Sequence, residues 1–333
     1  VDQGILFVAA ESAGFAGVDV FFVISGFIMF YTTTGAVGPA ASFDFIRRRA
    51  ARIFSGYWPF FFLAAAVFAW ARPEHFAESN LLTSFFLWPM PLNRVLLDVS
   101  WTLSYEMYFY LLFTVLVLVG IRGRFGLLAG ILLLVTAYNL VQHFVLNAFG
   151  PENYYIHSFS SLFYTSPFLI EFFAGAVLAR FARCGTARLG WLLLAAGIIG
   201  FTAAGFSNSL VYDGKIEQGF HVVPRVLLFG IPSVLILWGL VSLENGGIRA
   251  PKRFSLASGG ASYAIYLGHT IFFVATMKLG LSRYLSDSSP MAVQAVFLVY
   301  SALIVAVGVI YYKTAERWLH RQFKRILGVA SRN

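Results

Sequence analysis

Nine apolar runs follow one another along this chain, at about 15–34, 56–71, 100–120, 125–146, 162–180, 189–206, 224–243, 259–280 and 291–312. A helix needs roughly 20 apolar residues, or slightly fewer, to cross a bilayer. The expected fold is therefore all-α: a polytopic transmembrane helical bundle. Composition points the same way. Of 333 residues 59% are hydrophobic, 12% are charged and 36 are Phe, whereas a soluble domain carries roughly 25% charged residues. Such a chain cannot cover its own surface in water. The run LLTSFFLWPMPL at 81–92 is shorter and holds two prolines, so it reads as a re-entrant or interfacial segment.

The net charge is +9, but its distribution argues against nucleic acid. The basic residues do not gather on one face of a folded domain; they sit in short clusters between apolar runs. With nine spans, 18 of the 24 lysines and arginines fall on one side. These are Arg47, Arg48, Arg49 and Arg52; Arg122 and Arg124; Arg180, Arg183 and Arg188; Arg249, Lys252 and Arg253; and Lys313, Arg317, Arg321, Lys324, Arg325 and Arg332. Arg72, Arg94, Lys215, Arg225, Lys278 and Arg283 take the other. By the positive-inside rule the first set is cytoplasmic, which puts the C-terminus inside and Val1 outside. The first residues lack the basic segment of a signal peptide and the chain starts with Val. The expectation is that one span precedes it, so that nine spans are visible of ten. From Lys313 to Val329, Leu319, Phe323, Ile326 and Leu327 form an apolar stripe beside a basic face. That pattern suits a cytoplasmic helix on an anionic leaflet, and residues 313–333 read as a tail separate from the transmembrane domain 1–312.

Polar groups in or beside spans are the candidates for function, because lipid makes them costly. Asp19 lies in GVDVFFVISGF, at the outer mouth of the first visible span. Arg48, Arg49 and Arg52 lie in FIRRRAARIFSGYW, spaced to share a helical surface. Guanidinium forks match phosphate oxygens, so a phosphate-rich cytoplasmic ligand such as a coenzyme A thioester suits them; gripping lipid headgroups is the competing reading. In SWTLSYEMYFYLLF, Thr102, Glu106 and Tyr110 recur every four residues, so Glu106 sits on a polar stripe. It serves either acid–base chemistry or a structural pair with an arginine. Glu171 in PFLIEFFAGAVLARF is a weaker case of the same kind. In GGASYAIYLGHT, Ser262, Tyr266 and His269 share a helix face. His75, His143, His157, His221 and His320 have no metal spacing, and the lone Cys184 rules out an internal disulfide or a thiolate cluster. No metal site is expected.

Taken in order, GVDVFFVISGFIM, RRRAARI, SWTLSYEMYFYLLF, LIEFFAGAVLAR and SYAIYLGH resemble the acyltransferase-3 family of integral-membrane O-acyltransferases, in its exopolysaccharide-modifying branch. The resemblance covers essentially the whole chain. It implies about ten transmembrane helices in a bacterial inner membrane. It also implies transfer of an acyl group, commonly acetyl, from cytoplasmic acyl-CoA to a hydroxyl of a polysaccharide or lipid-linked sugar. No bound cofactor is implied; acyl-CoA is the donor substrate. Arg48, Arg49 and Arg52 match the arginines held to meet the donor, in a loop where Tyr57 and Trp58 keep the pattern, and Tyr57 is expected to bind the donor with them. Asp19, Glu106, Ser262, Tyr263 and His269 match other motif positions. Two departures stand out. Ser55, followed by Gly56, replaces the usual proline of that loop. The family's first helix, with the histidine usually proposed as base, is not in the sequence, and no other histidine matches its position. The alternatives are a transporter or flippase for a polar glycan or lipid, or an inactive truncated family member.

Overall fold

The computed structural model describes residues 13–146, 159–181, 185–216, 221–249, 251–286 and 288–328. Val1, His157, Arg183, Cys184, Val329 and Arg332, named above, lie outside them. Among the described residues every regular element is a helix and there is no strand. Ten helices carry the architecture: α1 (Gly17–Thr32), α2 (Pro39–Ala71), α3 (Trp101–Val117), α4 (Ile121–Leu140), α5 (Phe168–Leu178), α6 (Ala187–Val211), α7 (Ile231–Asn245), α8 (Lys252–Lys278), α9 (Pro290–Tyr311) and α10 (Arg317–Ile326).

Among the described residues, seven helical stretches are long and apolar enough to cross a bilayer: Gly14–Thr32, Pro39–Ala71, Ile121–Val145, Phe159–Phe181, Ala187–Val211, Val222–Asn245 and Met291–Ile326. The other two expected spans are helical as well. Helix α3 has only 17 residues. Helix α8 has 27, but Ser262, Tyr263, Tyr266, His269 and Thr270 dilute its apolar character. The protein is thus an all-α, multi-pass membrane bundle. The run 81–92 contributes a five-residue helix, Leu81–Phe85, capped by the Asn80 side chain, which accepts from the Thr83 N–H at 3.1 Å. Its C-cap is Phe86, and Leu87, with a φ of 56°, turns the chain away from the helix.

One expectation is corrected. The arginine cluster is not in a loop ahead of a span at residue 56. It lies inside α2, a single 33-residue helix that starts at Pro39. Alanine and arginine are strong helix formers, proline suits a first helical position, and Asp44 pairs with Arg48 one turn on. Phe45, Ala51 and Ile53 are buried and hold the stretch in the fold. Pro59 further along provides no N–H for the Ser55 carbonyl, which loosens the helix beside the arginines.

The described residues form two units. In the unit made of 13–42 and 111–249, α1 pairs along α5, and α6 along α7. Helices in lipid gain little hydrophobic energy by associating, so they depend on close packing at small residues. Gly26 of α1 lies against the Phe172 carbonyl of α5, and Gly175 of α5 lies against the Val23 carbonyl of α1. A Cβ on either would overlap backbone atoms. Gly190 and Gly239 play the same part between α6 and α7.

The same unit buries Arg124, which sequence reading treats as a topology charge. It is fully buried and points at carbonyls clustered where α1 and α3 end. Nε donates to Leu116 O at 3.1 Å, Nη1 to Thr33 O at 2.7 Å, and Nη2 to Val119 O at 3.1 Å and to Ala36 O. The last carbonyls of a helix have no intrahelical partner and carry its negative end. A single guanidinium satisfies two such ends.

Gly26→Leu is expected to force α1 and α5 apart. The cost should reach or exceed the ~3 kcal/mol typical of a badly overpacked core. A lower thermal unfolding midpoint and a loss of monodispersity in detergent would show it. Ile28→Leu, on the exposed side of α1, is the control expected to change neither.

Candidate functional site

The other unit, made of 43–110 and 251–328, contains the arginines. Arg48 is tied to Asp44 along the helix. The Arg49 guanidinium carbon lies 5.5 Å from the Phe45 ring centre and 5.7 Å from that of Tyr110. Arg52 lies 5.2 Å from the Tyr263 ring centre, and its Nη1 donates to Glu316 Oε1 at 2.6 Å. These placements are cation–π and charge-assisted contacts.

Glycine at 56 explains how Tyr263 reaches this position. A Cβ there would strike the Tyr263 ring. With glycine, the ring lies against α2 and its hydroxyl donates to Ile53 O at 3.2 Å. The Ser55–Gly56 pair thus replaces the expected proline with a seat for Tyr263 and, through the Ser55 hydroxyl, a partner for His320 Nδ1 at 3.1 Å.

The polar stripe expected on α3 is present. Glu106 is buried and accepts a hydrogen bond from Tyr110. Tyr263 lies within electrostatic range of Glu106, Tyr110, Arg52 and Glu316. At the start of the stripe, Thr102 Oγ1 donates to Tyr266 OH at 3.0 Å, and Tyr266 donates to Val99 O at 2.9 Å. The unit therefore sets two guanidinium groups, two carboxylates and two phenols close together in a mostly apolar setting. Such a set can grip an anion and move a proton.

Other candidates sit elsewhere. The Tyr57 hydroxyl is buried and donates to Ser84 O at 2.8 Å, turned to another partner than the arginines. Ser262 donates back to Gly259 O at 2.9 Å. The α8 side chain that meets Arg52 is that of Tyr263. His269 Nδ1 lies 2.6 Å from Tyr266 O, and its Nε2 lies 3.3 Å from Thr270 Oγ1.

Asp19 belongs to the unit made of 13–42 and 111–249. It is fully buried, and Arg225 donates to both its oxygens: Nε at 3.2 Å to each, Nη2 at 2.7 Å to Oδ2. The Arg225 guanidinium is flanked by the rings of Phe15 and Phe168, at 5.0 and 5.1 Å. Glu171 lies within electrostatic range of both charges and against Gly230, where a Cβ would come within 2.8 Å of Oε1.

Sequence reading missed two partners. Arg225 counts there only as an outer charge, and Glu316 is not singled out. A signal for Glu316 exists: it is the single acid in the basic stretch 313–328, and it shares a helical face with His320 and Phe323. Among the described residues no group of three or more His, Cys, Asp or Glu could hold a metal.

Comparison with known proteins matches residues 2–313 to the family model described as an acyltransferase domain. The chain is similar to the exopolysaccharide production protein ExoZ of Rhizobium meliloti (strain 1021), with 31% identity over 344 residues, covering 95% of each chain. No solved structure matches it.

Arg225→Met would leave the Asp19 carboxylate buried without its cation. Breaking such a pair costs about 3–5 kcal/mol, so a sharply lower unfolding midpoint is expected. Adding Asp19→Asn should recover part of the loss. A double variant as unstable as the sum of the singles would show that the pair is not what the core depends on.

Proposed function

Because the chain belongs to the acyltransferase-3 family, we propose that it is an O-acyltransferase that takes an acyl group, acetyl in the first instance, from cytoplasmic acyl-CoA. The acceptor is a sugar hydroxyl of a cell-surface or exopolysaccharide, a reading supported by its similarity to the Rhizobium exopolysaccharide production protein. The charge asymmetry supports an inner-membrane location with the C-terminus in the cytoplasm.

The observation that carries this reading is the meeting of Arg49 and Arg52 with Glu106, Tyr110 and Tyr263 in one unit. Arg49 and Arg52, with Arg48 beside them, hold the phosphates of the donor. Each fork is oriented by an aromatic ring or a carboxylate, so less side-chain freedom is lost when the anion binds. In the reaction the acceptor oxygen attacks the thioester carbonyl carbon and the carbon–sulfur bond breaks. Coenzyme A leaves as its thiol, gaining the proton that the hydroxyl loses. Glu106 is the group in this cluster suited to carry that proton, with Tyr110 holding one of its oxygens. His269 and Tyr57 lie on the same unit with other partners and act as supports. Asp19 has both oxygens on Arg225 and maintains the packing around it.

Purified protein in nanodiscs, given labelled acetyl-CoA and a polysaccharide acceptor, tests the reading. Arg52→Gln is expected to weaken donor binding about 10- to 100-fold, the worth of a charge-assisted contact. Glu106→Gln is expected to slow transfer by about 100-fold or more while donor affinity changes less than about twofold, because Glu106 meets the proton and not the phosphates. Glycan or lipid flux across the membrane without label transfer would instead make the protein a transporter or flippase.

A further inference from the structure

Glu316 is placed in a way that its local sequence does not call for. It is the single acid in a stretch that carries Lys313, Arg317, Arg321, Lys324 and Arg325. An ordinary carboxylate on such a helix would face solvent and pair with neighbours one turn away. Its side chain is instead 1% exposed, while that of its partner Arg52 is 34% exposed. Burying a carboxylate is costly unless a cation and good geometry offset it.

The local helix geometry serves this contact. Between α9 and α10 the helix widens into a single π turn, Tyr312–Glu316, a feature that resets which residues face a neighbour and that recurs at functional sites. From the last residue of that turn onward, one face of the π turn and α10 meets α2 at three successive levels. Glu316 takes Arg52 at 2.6 Å, His320 takes Ser55 at 3.1 Å, and the Phe323 ring lies 5.3 Å from that of Trp58. The opposite face leaves Arg317, Trp318, Arg321, Arg325 and Ile326 exposed. The amphipathic tail expected on the membrane surface therefore has a built contact of its own with the arginine helix.

We propose that Glu316 is a positioning residue for Arg52 and that α10 is part of the donor site. The inference rests on the reading of Arg52 as a donor-phosphate ligand. Glu316 occupies Nη1, and the Tyr263 ring lies against the guanidinium. Together they hold a long, flexible side chain in one orientation, with the remaining edge of its fork available for a phosphate oxygen pair. A residue that acts this way contributes through preorganisation and not through contact with the donor.

The test is a double-variant cycle on the full chain in nanodiscs, with labelled acetyl-CoA as probe and thermal unfolding measured beside it. Glu316→Gln is expected to weaken binding about tenfold, with the loss in KM for acetyl-CoA and little change in kcat. Glu316→Asp is expected to recover part of it. In an Arg52→Gln background, Glu316→Gln is expected to cost nothing further, because its effect passes through that arginine. Losses that add in the double variant, or a Glu316→Gln protein that binds as tightly as wild type, would overturn the proposal while leaving Arg52 as donor ligand. Tighter binding would overturn it too, by making Glu316 a competitor of the donor. If wild type itself does not bind acetyl-CoA, the donor reading falls and this inference with it. Should Glu316→Gln not fold, Phe323→Ala decides, since it loosens α10 at its far contact and keeps Glu316. Weakened donor binding supports the proposal, and unchanged binding overturns it.

Discussion

Close approach at glycine is the constraint on which both units of this protein depend. In lipid, two helices gain almost nothing by hiding apolar surface from each other, so their backbones must come close enough for dispersion and polar contacts to count. Gly26 and Gly175 let α1 and α5 meet backbone to backbone. That approach is what allows Asp19 near the start of α1 and Glu171 near the start of α5 to share the neighbourhood of Arg225. In the other unit, Gly56 admits the Tyr263 ring to the surface of α2. Without that space Tyr263 could not stack on Arg52. The polar chemistry is downstream of these contacts.

Buried charge is handled in three different ways. Arg124 is surrounded by neutral carbonyls at helix ends and uses the dipoles of α1 and α3. Arg225 is neutralised by one carboxylate and flanked by two rings. Arg52 is only half-committed: one nitrogen is on Glu316, one ring, that of Tyr263, lies over it, and the side chain is 34% exposed. The first two arrangements close off a cation and favour a structural role. The third keeps a cation oriented and partly open, which is the arrangement an anionic substrate needs. The π turn that precedes α10 and the one that follows Arg225 adjust helix facing at both ion pairs.

Much of this is legible in sequence because it follows from local spacing. The stripe of Thr102, Glu106 and Tyr110 lies on one helix face; Tyr110 bonds Glu106 as that spacing suggests, while Thr102 bonds Tyr266 of α8. The arginines do share a helical surface. Their setting reads as a loop because a basic cluster beside an apolar run looks like a membrane boundary, whereas alanine and arginine continue the helix through it. Ser262, Tyr266 and His269 share a face by spacing, but spacing does not say that Tyr263, beside that face, is the residue that meets Arg52. Spacing defines a face but not the neighbour it meets.

From its sequence alone the chain is bound to a bilayer, to helices, and to a family whose motifs it carries in order, because apolar run length, charge placement and motif residues are local properties. Tertiary structure decided which charges meet. Asp19 and Arg225 are 206 residues apart, and Arg52 and Glu316 are 264 apart. No local pattern records such a pairing; it depends on how closely helices approach and on which face a π turn presents. Arg124 and Arg52 look alike as basic residues beside spans, and packing alone makes one a buried clasp and the other a half-open fork.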